Sequence, residues 1–255
     1  MTTNFNIYPY FDDFEENAKN KNYHKILFKP GTAVQARELT QTQSVLQDQI
    51  KLFGNHIFQN HTPVSGGQIT TNFRVRYLKL QLLDLNNEEI VASNFLNKVI
   101  SNQNLTTQAK VISTVEKITD SSGTVISPPI LVVVFFSGKV FYDNEAISVS
   151  DNSLTARVIS PFSSFQPSQG ASSVVSIDDG VFYIDGYFVR VLNQTVPIDL
   201  YSRTPSARIG LSIQESLITS DDDQSLLDPA FGSSNFQAPG ADRYKINLKL
   251  VSKPL

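Results

Sequence analysis

The residues that could do chemistry are few and scattered. The chain has three histidines, His24, His56 and His61, and no cysteine. Disulfide frameworks, thiolate zinc sites and thiol nucleophiles are therefore excluded. His56 and His61 stand five residues apart, a step that does not align two ligands on one helical face, and no carboxylate lies close to either in sequence. They read as ordinary helix-end histidines. The acidic run Asp221-Asp222-Asp223 has the charge of a calcium loop but lacks the glycine and distal glutamate that close one, so a solvated turn is expected. Asp178 and Asp179, before Gly180, read as a turn. Asp185 and Glu145 are of the type that works in pairs in glycoside hydrolysis, yet nothing fixes their separation. No G-x-S-x-G elbow, Walker loop or G-x-G-x-x-G occurs. The expectation is no enzyme, with no catalytic, cofactor-binding or metal-binding residues.

The elements that would position any site begin with one long helix. Pro30 and Gly31 break what precedes it, and Thr32 stands three residues before Gln35, the spacing of a capping box. Leu39, Leu46, Ile50, Phe53 and Ile57 follow at steps of seven, four, three and four, which puts them on one stripe of a helix over residues 33–59. The remaining surface is rich in uncharged amides, among them Gln35, Gln41, Gln43, Gln47 and Gln49. Such a face fits polar protein surface, including copies of itself around an axis, better than bulk water. Ahead of it lies an aromatic, acidic leader containing Tyr8, Tyr10, Phe11 and Phe14, read as an arm that docks on a neighbouring subunit, because aromatics are costly to leave in water.

After Gly66 and Gly67 the period changes to that of strands. Strand-like runs are 73–83, 110–118, 130–136, 156–159, 173–177, 180–192, 193–200, 207–219 and 243–251, separated by turn signals such as Ser121-Ser122-Gly123 and Ser137-Gly138. A second, short helix is expected at 93–100. Within 180–192, Asp185-Gly186 is a two-residue hairpin signal that brings Phe182, Tyr183, Tyr187 and Phe188 together across two strands. The plain reading is a core hairpin; the alternative is an aromatic platform for host surface glycans built on Tyr183 and Tyr187. The fold class is mainly β with an N-terminal α-helix: aromatic leader arm, one long helix, then an antiparallel β sandwich or small barrel. The organisation expected is an arm and helix over 1–65 for docking and oligomerisation, a β-rich domain over 66–172, and a β-rich domain over 173–255. Only four residues follow the strand ending at Val251, which fits a polypeptide continuing beyond Leu255.

Composition bounds the partners. The 255 residues are 40% apolar and 18% charged, with a net charge of −3, which offers no electrostatic footprint for nucleic acid or an anionic membrane. The longest apolar run, Pro128 to Phe136, has nine residues, too few to insert in a bilayer. The N-terminus lacks the basic and apolar regions of a signal peptide, so synthesis in the cytoplasm without Sec export is expected.

Three stretches carry a resemblance: YPYFDDF with FKPGTAVQARELTQTQSVLQDQI, then GVFYIDGYFVRV, then the run from Pro205 to Leu248. Together they resemble the N-terminal portion of large virion structural proteins of tailed, cyanophage-like bacteriophages, tail fibre or baseplate-associated proteins with a domain of unassigned function. The match spans the first 60 residues and roughly 175–250, and is loose over 70–170. The resemblance implies a viral tail assembly protein that anchors tail fibres to the baseplate or tail as a homotrimer. Its partners would be itself and other tail or baseplate proteins, with host attachment to surface glycans through distal parts. It carries over no catalytic residues. The docking or oligomerisation residues expected are Tyr8, Tyr10, Phe11 and Phe14 of the arm and Leu39, Leu46, Ile50, Phe53 and Ile57 of the helix.

Overall fold

The computed structural model describes residues 10–150 and 153–255. It is mainly β, with one long helix near the N-terminus. The helix, α1, runs from Ala36 to Ile57. Its N-cap is Gln35 rather than Thr32: the Gln35 backbone N–H donates to Glu38 Oε2 at 3.0 Å. The glutamate three residues in makes that reciprocal arm of a capping box available one turn later than Thr32 would have placed it. The strands are β1 (Thr62–Gly66), β2 (Ile69–Lys79), β3 (Val99–Asn102), β4 (Gln108–Val115), β5 (Ile118–Thr119), β6 (Val125–Ser127), β7 (Ile130–Ser137) and β8 (Ala146–Val149). Further on come β9 (Thr155–Arg157), β10 (Gln169–Ile177), β11 (Gly180–Ile184), β12 (Tyr187–Val191), β13 (Gln194–Asp199), β14 (Ala207–Ile218) and β15 (Arg243–Pro254). The short helix expected at 93–100 is a single 3₁₀ turn, Ala92–Phe95, followed by β3. Four residues of helical spacing do not make a helix when the next residues are needed as a strand.

Contacts divide the chain into two compact units that are not sequential. The first takes residues up to Gln68, Asp178–Leu192 and Ser212–Lys249; the second takes Ile69–Ile177, Asn193–Leu211 and Leu250–Leu255. The reason is strand pairing: β11 and β12 join β1 beside the helix, although β10 and β13 on either side of them belong to the other sheet.

The second unit holds an eight-stranded antiparallel sheet in the order β13-β10-β2-β7-β4-β3-β8-β9, curled into a half-barrel. Its central strand β7 explains the long apolar run. Leu131 and Val133 point into one core with Leu78, Phe95, Ile100 and Phe141, while Val132 points the other way onto Val75 and Val174. A strand buried on both faces has no reason to alternate. The face that carries Val75 also carries Tyr77 and Lys79, because side chains repeat every second residue. The Lys79 ammonium donates to Phe165 O at 2.8 Å and lies 5.4 and 5.0 Å from the rings of Tyr77 and Tyr201. Burial lowers its pKa.

Candidate assembly surface on the long helix

In the first unit, β1, β11 and β12 form a three-stranded sheet. Asp185 and Gly186 turn the hairpin with φ of 48° and 101°, both left-handed as a two-residue turn requires. The hairpin packs on α1 at Gly54. A Cβ there would sit 2.5 Å from Tyr183 Cε2, so only glycine lets the helix approach the ring. Tyr183 is fully buried; its hydroxyl lies 3.0 Å from Lys51 O and 2.9 Å from Asn55 Oδ1. Phe58 and Phe188 pack against the same ring at 5.7 and 5.3 Å between centroids. Gln47 Nε2 adds a bond to Gly186 O at 2.7 Å.

A second segment covers the next part of the helix. A π-helical turn, Phe14–Ala18, buries Phe14 and Ala18 against Val45. Gln41 Nε2 donates to Asp12 O and Asp13 Oδ1, both at 2.8 Å, Ser44 Oγ to Asp12 Oδ2 at 2.5 Å, and Lys19 pairs with Asp48 at 3.0 Å. These contacts place much of the amide face: Gln41 holds the arm and Gln47 holds the hairpin, both within the chain.

The opposite face of α1 is open among the described residues. Leu39, Leu46, Ile50, Phe53 and Ile57 are all between 45% and 66% exposed. Five large apolar side chains on one stripe, left in solvent, are an interaction surface in the usual sense of an exposed patch. Of the arm residues, Tyr10 and Phe11 are exposed, and Tyr10 donates to the Asp242 carboxylate. Phe14 corrects the expectation: it is buried against its own helix and offers nothing to a neighbour. Tyr8 lies outside the described residues. The glycan platform is corrected as well, since Tyr183 has no exposed ring to stack on and Tyr187 is half-buried against Tyr244, 5.9 Å between centroids.

The groups considered for catalysis are each used locally. Asp185 is held by Asn60, and Glu145, in the other unit, accepts from Asn102 Nδ2 at 3.0 Å and the Tyr142 N–H at 2.8 Å. Asp222 accepts from the Thr219 N–H and hydroxyl, and Asp223 from the Ser225 N–H at the start of a 3₁₀ turn, Gln224–Leu226. These bonds hold both carboxyls below the ordinary aspartate range. Among the described residues no group of three His, Asp or Glu is placed to hold a metal, and no helix is long and apolar enough to cross a membrane. The open groove of about 860 Å³ beside α1 is lined by Asp12, Gln43, Asp48, Lys51, Tyr187 and Tyr244, among others. Burial first, then the Glu215 carboxylate that accepts the Tyr244 hydroxyl at 2.7 Å, push the Tyr244 phenol well above the ordinary tyrosine range. It is a proton-bearing donor, not a base.

A mainly β protein with a helix that is packed on one side and bare on the other is the class these features define. The chain belongs to a family described as a domain of unknown function (DUF4815), matched over residues 8–86 and 162–254, more than half its length. The match takes in the arm, α1, β1, β2 and the strands from β10 onward; residues 87–161 fall outside it. No curated protein and no solved structure matches the chain.

Proposed function

We propose that this protein is a structural component of a bacteriophage tail, present in the virion, which anchors tail fibres to the baseplate or tail as a homotrimer. The observation that carries the reading is the exposed stripe on α1. Its five apolar residues face away from the arm and hairpin that occupy the other side, so the cover they need comes from a partner. The resemblance to phage tail proteins supplies the setting, and it rests on the arm, helix and C-terminal strands that the family match also takes in. Tyr10 and Phe11 at the exposed end of the arm would contact an adjacent tail protein.

Sedimentation of the full chain tests the assembly: the expected mass is three times 28.3 kDa, and Phe53→Asp should return it to one. A single-chain mass for the unchanged protein overturns self-assembly. Cross-linking and mass spectrometry of purified phage particles should join the arm around Tyr10 and Phe11 to another tail component, and particles that lack the chain overturn the virion role.

A further inference from the structure

The stripe has a finer order than a general apolar face. Taken as a heptad, α1 places Ala36, Gln43, Ile50 and Ile57 at the a positions and Leu39, Leu46 and Phe53 at the d positions. All seven are exposed, Gln43 at the edge where the seam meets the groove beside the arm and hairpin. Of the b, c and f positions, which face solvent in a free coiled coil, the chain covers several itself, while Arg37, Leu52 and Asn55 stay exposed. Ser44 at b, Val45 at c, and Gln41 and Asp48 at f hold the arm, and Lys51 at b takes the Tyr183 hydroxyl on its backbone oxygen. The helix is mounted on its own body with the seam turned outward.

We infer that α1 pairs with α1 of further copies of this chain in a parallel, in-register coiled coil, with Gln43 as its buried polar layer. The inference rests on the reading of the stripe as the surface of self-assembly and adds direction and register to it. The occupant follows from three features. First is area: five side chains of this size and exposure offer on the order of 100 Å² each, roughly 500 Å² in all. That is more than half of the about 800 Å² per partner in a standard stable interface, before the flanking Thr40, Thr42 and Gln49 are counted. Second is charge: the e flank is Thr40, Gln47 and Gly54, the last two already taken by the hairpin, and the g flank is Thr42, Gln49 and His56. No Lys, Arg, Asp or Glu stands there to call for a partner of opposite charge, and a like flank is accepted without repulsion.

Third is Gln43. In an antiparallel pair centred on the seam, Leu39 would face Ile57, Leu46 would face Ile50, and Gln43 would face Phe53. A buried amide against a phenyl ring has lost its water and gained no partner. In the parallel, in-register arrangement Gln43 meets Gln43, and each amide can both donate and accept. One polar residue at an a position fixes register in this way at some cost in affinity. Where three or more copies close around an axis that runs along the helices, all of the helices run parallel.

The chain has no cysteine, so a single introduced thiol reads the geometry in the full-length protein. Leu39→Cys alone should form disulfide-linked pairs under mild oxidation, whereas mixing Leu39→Cys with Ile57→Cys should give no mixed pair. An antiparallel seam reverses this, because 18 residues at 1.5 Å of rise would hold the two thiols introduced at position 39 about 27 Å apart. A mixed 39–57 disulfide, or no disulfide of either kind in a protein that still sediments as an assembly, overturns the parallel seam and leaves self-assembly standing. Gln43→Leu should tighten assembly roughly tenfold, as removal of a costly polar layer predicts, while weakening the preference for the 39–39 disulfide. Weaker assembly in Gln43→Leu would count against the buried layer. Disulfide pairs at position 39 in a protein of two-chain mass uphold the seam and overturn the three-copy reading. Since β-branched a residues with Leu at d favour two strands, the mass is read independently of the cross-link.

Discussion

Strand β7 and helix α1 both carry a dense set of apolar residues, and the chain treats them oppositely. Ile130, Leu131, Val132 and Val133 have no exposed surface at all, whereas the five stripe residues of α1 keep about half of theirs. The difference lies in what the rest of the sequence supplies. β7 has β2 and β4 on its two edges and buried side chains on both faces. α1 receives the hairpin and the arm on its body side, both fixed by specific bonds from Gln47 and Gln41. None of the described residues covers the other side. Apolar residues thus have two uses here, holding the fold and waiting for a partner, and substitutions should separate them.

The largest effect belongs to the sheet core. Phe95 is buried to 2% among Leu78, Ile100 and Leu131, and Phe95→Ala should cost about 3–5 kcal/mol in chemical denaturation. A loss below about 1 kcal/mol would mean that this core tolerates a cavity, and that the contrast with α1 is one of degree. Next comes the seam between helix and hairpin. Gly54→Ala would gain about 1 kcal/mol in helix propensity, but its Cβ meets the Tyr183 ring at 2.5 Å. Overpacking of this kind costs about 1–3 kcal/mol, so a net loss is expected. A stabilised variant would show that the hairpin can slide on the helix.

Much of this was legible in the sequence, and what was not has a physical cause. The Asp185-Gly186 hairpin could be read because two residues that accept positive φ stood between two strand-like halves. The stripe could be read because 3.6-residue spacing is a local property. Pairing order is not local: β2 lies between β10 and β7, with Ile69 opposite Ile177, and no feature of either strand names the other. The same holds for side-chain partners. Gln41 bonds Asp13, 28 residues away, and Gln47 bonds Gly186, 139 residues away, so the amide face could be noticed but not assigned. Phe14 escapes a sequence reading for a related reason, since an aromatic leader has the same composition whether it docks on its own helix or on a neighbour.

A smaller effect tests how the turn that delivers Phe95 to the core is held. Glu116 accepts from the Ala92 and Ser93 N–H groups at 2.9 and 2.7 Å, at the start of the 3₁₀ turn that delivers Phe95. Burial alone would raise its pKa, but these bonds outweigh it and the carboxyl lies below the ordinary glutamate range. The depressed folded value means that its contribution is full above the unfolded pKa and is lost as pH falls through the folded one. Glu116→Gln should cost about 0.5 kcal/mol at neutral pH, at the low end for a cap because solvent screens the side chain. The variant should also flatten part of the fall in stability under acid. An unchanged acid profile would assign that fall to other carboxylates.

The smallest expected effect bears most directly on the comparison. Leu46 stands at the middle of the stripe with 60% of its surface exposed, and alanine is the better helix former. Measured at dilutions where the chain is a monomer, Leu46→Ala should leave stability within about 0.5 kcal/mol of the unchanged protein. At concentrations where it assembles, the same variant should fall clearly below it, because only there does Leu46 have cover to lose. A cost of about 2 kcal/mol or more at high dilution, the range of a buried leucine, would mean that the chain covers its own stripe in solution. The distinction between the two kinds of apolar residue would then fail at its central example.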